Sequence, residues 1–242
     1  MTKLAGALMR FAVTIFFRIY FAIFGKPKLD KPLIEAVGLY SDSDFGELFS
    51  HIRSWDAPYS PVNRAIPKKA RVVDLGSGDG LLANYLAISS GSRKVTGIEI
   101  SGKRHRESKK GVKNANFIKA DILKARLPAA DVYILAHVLH HLPSRGDQLT
   151  ILEKLSVKMK KGQKLIILEI DKKPFWKYIF SVLTDAITFP ILFESKLFSL
   201  AFFYRSKKEW EKLLLNLEFR VEAKNMDCGM PFSHVLIIAK KK

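Results

Sequence analysis

Cysteine is nearly absent from this chain: Cys228 stands alone among 242 residues. That excludes an internal disulfide framework and fits a reducing compartment. No cysteine–histidine cluster has zinc spacing, so no metal is expected. Acid is scarce beside base, 23 Asp and Glu against 41 Lys and Arg, which leaves a formal charge of +18. Such a field attracts polyanions, either nucleic acid or an anionic membrane face. No apolar run of spanning length is free of charge: Arg10 and Arg18 interrupt the first, and Lys177, Asp185, Glu194 and Lys196 break up the second, with Pro190 among them. Internal repeats and low-complexity tracts are missing. So are the polar, glycine-rich loops that nucleic-acid binders mix with their cations.

Phenylalanine, by contrast, is plentiful. Its 17 copies concentrate in residues 11–24 and 175–203, both with interspersed cations. Over residues 3–24 the apolar positions repeat with helical period, and Lys3, Arg10, Thr14 and Arg18 form a narrow polar stripe. An in-plane membrane helix fits best: two arginines in a true span would each cost roughly 2.5–3.5 kcal/mol, whereas an interfacial helix gains from anionic lipid. A span, a core or partner helix, and a cleaved signal are the competing readings. The second segment, 171–204, reads as an apolar insertion, with two helices meeting near Pro190.

The chain divides into an amphipathic helix over 1–25, a proline-marked linker and cap over 26–66, and a main domain over 67–242 carrying the insertion. Tyr40, Trp55 and Tyr59 of the cap are candidates to line a substrate pocket, against the plainer reading of packing. From Ala70 onward apolar runs alternate with helical ones, which predicts a parallel sheet with helices on both faces and ligands at the carboxyl ends of its strands.

The first of those strands, Val72-Val73-Asp74-Leu75, breaks into Gly76-Ser77-Gly78-Asp79-Gly80. Glycines at alternate positions let the backbone turn and approach a ligand, with the N–H groups of the next helix aimed at it. A pyrophosphate would be repelled by Asp74 and Asp79, whereas a ligand with an ammonium and a ribose would not. Further acids close the second and third strands, Glu99 before Ile100 and Asp121 before Ile122.

This set resembles motif I and the downstream acids of class I S-adenosylmethionine-dependent methyltransferases, and the resemblance runs over roughly residues 67–242. It implies a Rossmann-like, seven-stranded, mostly parallel sheet in the order 3-2-1-4-5-7-6, with the last strand antiparallel. It implies a cofactor held by Asp74, Gly76, Ser77, Gly78 and Gly80, with Glu99 on the ribose hydroxyls, Asp121 on the adenine amino group, and Ile100 and Ile122 sandwiching the ring. Ala136 and His137 would pass the methionine part.

Val138-Leu139-His140-His141-Leu142 after the fourth strand is similar to the family's V-L-H-H-L segment. His141 is given a packing role by the resemblance, which leaves His137 and His140 as candidate bases. Glu169 and Asp171 end the fifth strand and either orient an ammonium substrate or cap the insertion; Asp171 joins His137 and His140 as a catalytic candidate, and Glu169 is a candidate substrate contact. Tyr204 and Arg205 stand at the next helix start, where Arg205, Lys207 and Lys208 are placed either to hold a lipid phosphate or on a solvated face.

The implied activity is direct in-line methyl transfer from S-adenosylmethionine. The acceptor implied by the two phenylalanine-rich segments is a lipid or lipophilic small molecule, such as a phospholipid headgroup or prenylated quinone precursor. Residues 1–25 and 175–203 would attach the protein to the cytoplasmic membrane face. An RNA methyltransferase using the basic surface is the alternative, disfavoured because the chain lacks N-P-P-[YF] or D-P-P-[YF], paired catalytic cysteines and a separate RNA-binding module. A non-catalytic membrane-attached cofactor binder is a third reading.

Overall fold

The computed structural model describes residues 3–24, 28–41, 48, 50–54, 57–192, 202–226 and 232–242, with 3–10, 13, 24, 184 and 186–192 described by backbone alone. Seven strands form one sheet: β1 (Arg71–Leu75), β2 (Lys94–Glu99), β3 (Ala115–Lys119), β4 (Val132–Ala136), β5 (Lys164–Ile170), β6 (Phe219–Asn225) and β7 (His234–Lys241). Their order is β3-β2-β1-β4-β5-β7-β6, as expected. Only β7 runs against its neighbours, pairing antiparallel with both β5 and β6.

The central strands are apolar at nearly every position because both faces are covered. Period-2 alternation sorts their side chains: Val72, Ile134, Ile166 and Leu168 join one core, while Val73, Leu75, Leu135 and Ile167 join the other. The first core is covered by α2 (Lys31–Gly38), α3 (Tyr59–Ala65) and α4 (Leu81–Ile88), through Val37, Val62 and Tyr85. The second is closed by α6 (Arg145–Lys158) and α8 (Lys207–Asn216), through Ile151, Leu155 and the fully buried Trp210. A short helix, α5 (Gly102–Glu107), follows β2.

Helix starts carry the signals the sequence offers. Asp30 caps α2 by accepting from the Leu33 N–H at 3.0 Å, and Pro32 sits in the first turn, where its missing N–H is harmless. Ser206 and Glu209 form a reciprocal capping box at the start of α8. Arg93 ties the cap to the sheet: its guanidinium donates to the carbonyls of Asn63, Ile66, Pro67 and Leu86 and to Asn63 Oδ1.

Two helices lie outside this frame. The first, α1 (Lys3–Phe24), packs against α7 (Phe175–Leu192) and buries Phe21, yet leaves Phe11, Ile15, Phe16, Ile19 and Ile23 exposed. Among the described residues no helix is long and apolar enough to cross a membrane. Within the described residues α7 runs through Pro190 to Leu192. The second expected helix lies outside the described residues.

Candidate active site

The carboxyl ends of β1, β2, β4 and β5 converge on the glycine loop. Gly76, Gly78 and Gly80 all have positive φ, at 75°, 59° and 81°. A Cβ on Gly76 would lie 2.6 Å from Val138 Cγ2, so the loop is pressed against the segment after β4. Glu99 holds the loop from the next strand, accepting from Gly78 N at 2.9 Å and from Ser101 N at 2.8 Å with different carboxylate oxygens. Its neighbour Asp74 is also buried, but Asp74 Oδ2 and Ser77 Oγ have no hydrogen-bond partner among the described residues. Burial pushes the Asp74 carboxyl up to about 7, with Arg53 opposing the shift and Glu99 and Asp79 adding to it. An orphaned acid and hydroxyl beside a glycine cradle suit a ligand that brings its own donors.

Further out, Asp121 Oδ1 accepts from Leu123 N at 2.9 Å and its other oxygen lies 4.0 Å from Lys124 Nζ. Ile100 is exposed at its strand end, and Ile122 is buried in the second core.

The cap closes over the loop from the other side. Arg53 forms an ion pair with Asp79 and donates to Tyr59 Oη at 3.2 Å. Tyr40 Oη donates to the Asp79 carbonyl at 2.7 Å and accepts from Asn84 Nδ2 at 2.9 Å. Burial would raise the Asp79 carboxyl, yet the Arg53 guanidinium holds it below the ordinary range. These contacts correct two expectations. Asp79 serves Arg53, not a ligand ammonium, and Tyr40 and Tyr59 are anchors of the cap, because a buried tyrosine hydroxyl needs a partner: Tyr40 finds it in the Asp79 carbonyl of the loop and Tyr59 in Arg53. Trp55 lies outside the described residues.

The third wall is histidine-rich. His137 leaves β4 with φ +54° while its N–H donates to the Leu168 carbonyl at 2.8 Å. Glu169, fully buried on β5, gathers the following turn: Oε1 accepts from Val138 N at 3.1 Å and Leu139 N at 2.8 Å, and Oε2 takes His140 Nδ1 at 2.5 Å. The other nitrogen, His140 Nε2, faces Asp185 Oδ2 of α7 at 3.6 Å. Tyr204 stacks on the His140 ring at 5.0 Å and donates to Asp185 at 2.6 Å.

Burial holds His137 and His141 well below the usual imidazole range, with neighbouring histidines adding to the effect, and brings His234 to about 3. Glu169 is held low despite burial by its bond to His140, while burial raises the Asp185 carboxyl.

Asp171 is not in this group. Its Oδ1 accepts from Lys172 N at 2.8 Å and Lys207 N at 3.0 Å, tying the strand end to α8. Glu169 likewise points into the fold and not toward an entrance, because its oxygens are taken by the turn after β4. Arg205 Nε donates to Gln148 Oε1 at 2.7 Å and its guanidinium lies over Trp210, so it braces α8 and is not set to hold a phosphate. Sequence reasoning missed Arg53, His234 and Asp185. Of these only Asp185 carried a signal, as an acid in an otherwise apolar helix.

Residues 73–167 match the family model described as a methyltransferase domain. A search of curated proteins finds no match. Among solved structures the chain is similar to human N-acetylserotonin methyltransferase in complex with S-adenosylmethionine, at 21% identity and TM-score 0.61, covering 86% of this chain and 56% of that one. It is similar to an S-adenosylmethionine-dependent methyltransferase from Methanosarcina mazei at 20% identity and TM-score 0.56, covering 75% and 96%. The plantazolicin methyltransferase BpumL, solved with S-adenosylhomocysteine, aligns at 16% identity and TM-score 0.59, covering 87% and 95%. The chain thus spans little more than half the length of the first of these. At such identities the likeness is one of fold.

Proposed function

We propose that this chain, a class I S-adenosylmethionine-dependent methyltransferase, methylates a lipid or lipophilic small molecule at a membrane surface. The observation that carries the reading is the two-sided character of α7. Phe175, Trp176, Ile179, Phe180 and Leu183 are exposed, while Asp185 of the same helix reaches His140. The exposed apolar side chains of α1 lie on the helix packed against it. Monomeric soluble proteins rarely expose so many large apolar side chains on two packed helices without a use for them. A formal charge of +18 favours an anionic headgroup layer as that surface's partner.

S-adenosylmethionine supplies, when bound, an electrophilic methyl group on a sulfonium. The glycine loop admits it by close backbone approach, Asp74 and Ser77 offer acceptors, and Glu99 and Asp121 stand at the strand ends where ribose and adenine would lie. His140, held through Nδ1 by Glu169, faces Asp185 with Nε2, and this nitrogen is assigned the proton that an acceptor hydroxyl or ammonium releases. The imidazolium so formed would sit between Glu169 and Asp185, two carboxylates that stabilise it. Tyr204 keeps the ring in plane by stacking, and the Arg53–Asp79 closure excludes water from the loop.

The test pairs two measurements. The protein should sediment with phosphatidylglycerol-containing vesicles and much less with neutral ones, and deletion of residues 1–25 should weaken the interaction. Incubated with methyl-labelled cofactor and total lipid extract, it should place label in the lipid fraction. Label that enters only RNA, in a protein indifferent to vesicles, would sink the reading in favour of the nucleic-acid alternative.

A further inference from the structure

The strands deliver basic side chains to one edge of the sheet, at the end opposite the glycine loop. Lys69 precedes β1, Lys94 opens β2 and Lys113 precedes β3; on the other half Lys161 precedes β5 and Arg220 lies in the start of β6. The antiparallel β7 finishes at the same end and adds Lys240. Backbone pairing fixes these neighbours in place. Lys94 N donates to the Ala70 carbonyl at 3.0 Å and Val95 N to the Asn114 carbonyl at 2.9 Å, while Lys240 stands in register with Arg220.

All six side chains are exposed, and none of them has an ion pair or a hydrogen bond among the described residues. The acids of this edge are already engaged: Asp131 holds Arg71 at 2.9 Å, and Glu218 meets Lys241 at 3.2 Å. Strands about 4.8 Å apart make the row roughly 29 Å long from Lys113 to Arg220. Six like charges left unpaired along one edge repel one another and raise the local potential, which a polyanion relieves. In the sequence these cations are scattered between positions 69 and 240 and read only as a general basic excess.

We infer that this edge docks the phosphate backbone of a nucleic-acid duplex, which is a partner of the protein and not its methyl acceptor. Phosphate neutralisation draws its affinity from cations alone. An acidic protein would need aromatic or arginine anchors seated in pockets. A single strand would need aromatic platforms for its bases. Neither is on offer: the depression between Lys69, Lys94 and Lys113 has no aromatic lining, and the exposed phenylalanine and tryptophan side chains of the described residues all belong to α1 and α7.

An anionic bilayer is the partner proposed for those two helices, and α7 sets out beyond the carboxyl end of β5, the other end of the sheet. Strands of five to seven residues separate the two ends by roughly 16–23 Å, so a duplex lying on the basic edge is held away from the glycine loop. The docking face therefore stands whether or not the methyl acceptor is a lipid.

The full chain is titrated against fluorescein-labelled DNA and RNA duplexes of about 20 base pairs, longer than the row at about 3.4 Å per pair, and followed by anisotropy over a range of salt. Six neutralised phosphates give a slope of log K on log salt of about −5 for DNA, a loss of roughly a thousandfold between about 50 and 200 mM. Lys69→Gln, Lys94→Gln and Lys113→Gln combined should halve that slope and weaken binding at least thirtyfold at the lower salt. Lys103→Gln, Lys119→Gln and Lys208→Gln combined, an equal change of charge at the carboxyl end, should bind nearly as the parent does. A parent slope shallower than about −2, or equal losses in the two triple variants, overturns the face. The first triple variant should still sediment with phosphatidylglycerol vesicles, and deletion of residues 1–25 should leave duplex affinity unaltered, so the lipid reading and the docking face fail in separate assays. Vesicle binding lost together with duplex binding in that variant would assign the edge to the bilayer, and methyl label recovered in the duplex would make it an acceptor; either result overturns the proposal.

Discussion

The carboxyl of Asp74 gives the sharpest test of the cofactor site. In the free protein it is buried with Oδ2 unpartnered among the described residues, and burial, opposed by Arg53 and reinforced by Glu99 and Asp79, raises its pKa from 3.8 to about 7. The folded value thus lies above the unfolded one, so this acid's contribution to stability is present in full at low pH. It is lost as pH climbs through about 4 to 7. At about 1.4 kcal/mol per unit, the full shift caps that loss at ~4 kcal/mol.

A ligand that presents an ammonium or hydroxyl donors to this oxygen selects the ionised form. The ionised fraction rises from about 3% at pH 5.5 to about 90% at pH 8, so affinity for S-adenosylmethionine should be about thirtyfold weaker at the lower pH. Calorimetry at pH 6 in two buffers of different ionisation enthalpy should register release of close to one proton per cofactor bound. Asp74→Asn should bind weakly, lose the pH slope and release no proton. A parent affinity that stays level from pH 5.5 to 8, or a slope that survives in Asp74→Asn, would refute the assignment of Asp74 to the cofactor.

Glu169→Gln preserves shape but not the charge that orients His140; methyl transfer to lipid extract should fall about a hundredfold while cofactor affinity by calorimetry is unchanged, and a parallel loss of both would reassign Glu169 to holding the loop. Arg53→Met strands the Asp79 carboxylate under the cap. The side chains are 25% and 13% exposed, so solvent screening moderates the cost to about 1–3 kcal/mol, read as a lower thermal midpoint that Asp79→Asn in the same chain partly restores. No recovery in the double variant would show that the pair is not what holds the cap.

The proposed cofactor corner could be picked out in the sequence because each part of it is local. Asp74, Glu99 and Asp121 close apolar runs of strand length, and a glycine at every second position after Asp74 has few uses besides a loop with positive φ. The sheet order came with the resemblance, and strand burial on both faces explains why those runs read as continuous apolar stretches and not as alternation. The proton-handling side was hidden for the opposite reason. Glu169 and Asp171 stand two positions apart at one strand end, so sequence alone treats them alike. Glu169 is still within β5 and faces the turn after β4, whereas Asp171 has left the strand and serves the backbone of α8. Tyr40, Arg53 and Tyr59 sit in a proline-marked stretch with no period, and nothing local tells that Tyr40 and Arg53 meet at Asp79 while Tyr59 pairs with Arg53.

Asp185 shows how the apolar insertion should have been read. Along α7 the buried or inward positions Lys177, Ser181 and Asp185 recur at intervals of four, and the exposed Trp176, Phe180 and Leu183 occupy the opposite stripe. Hydropathy averaged over the segment blurs those stripes into one membrane-like stretch. An ionisable group on the lipid side of such a helix would cost several kcal/mol, which is why polar residues in it belong on the protein side. Once the stripes are separated, the same helix supplies an apolar outer surface and, one face away, the carboxylate opposite His140. The proposed membrane contact and the proposed chemistry are therefore two faces of one element.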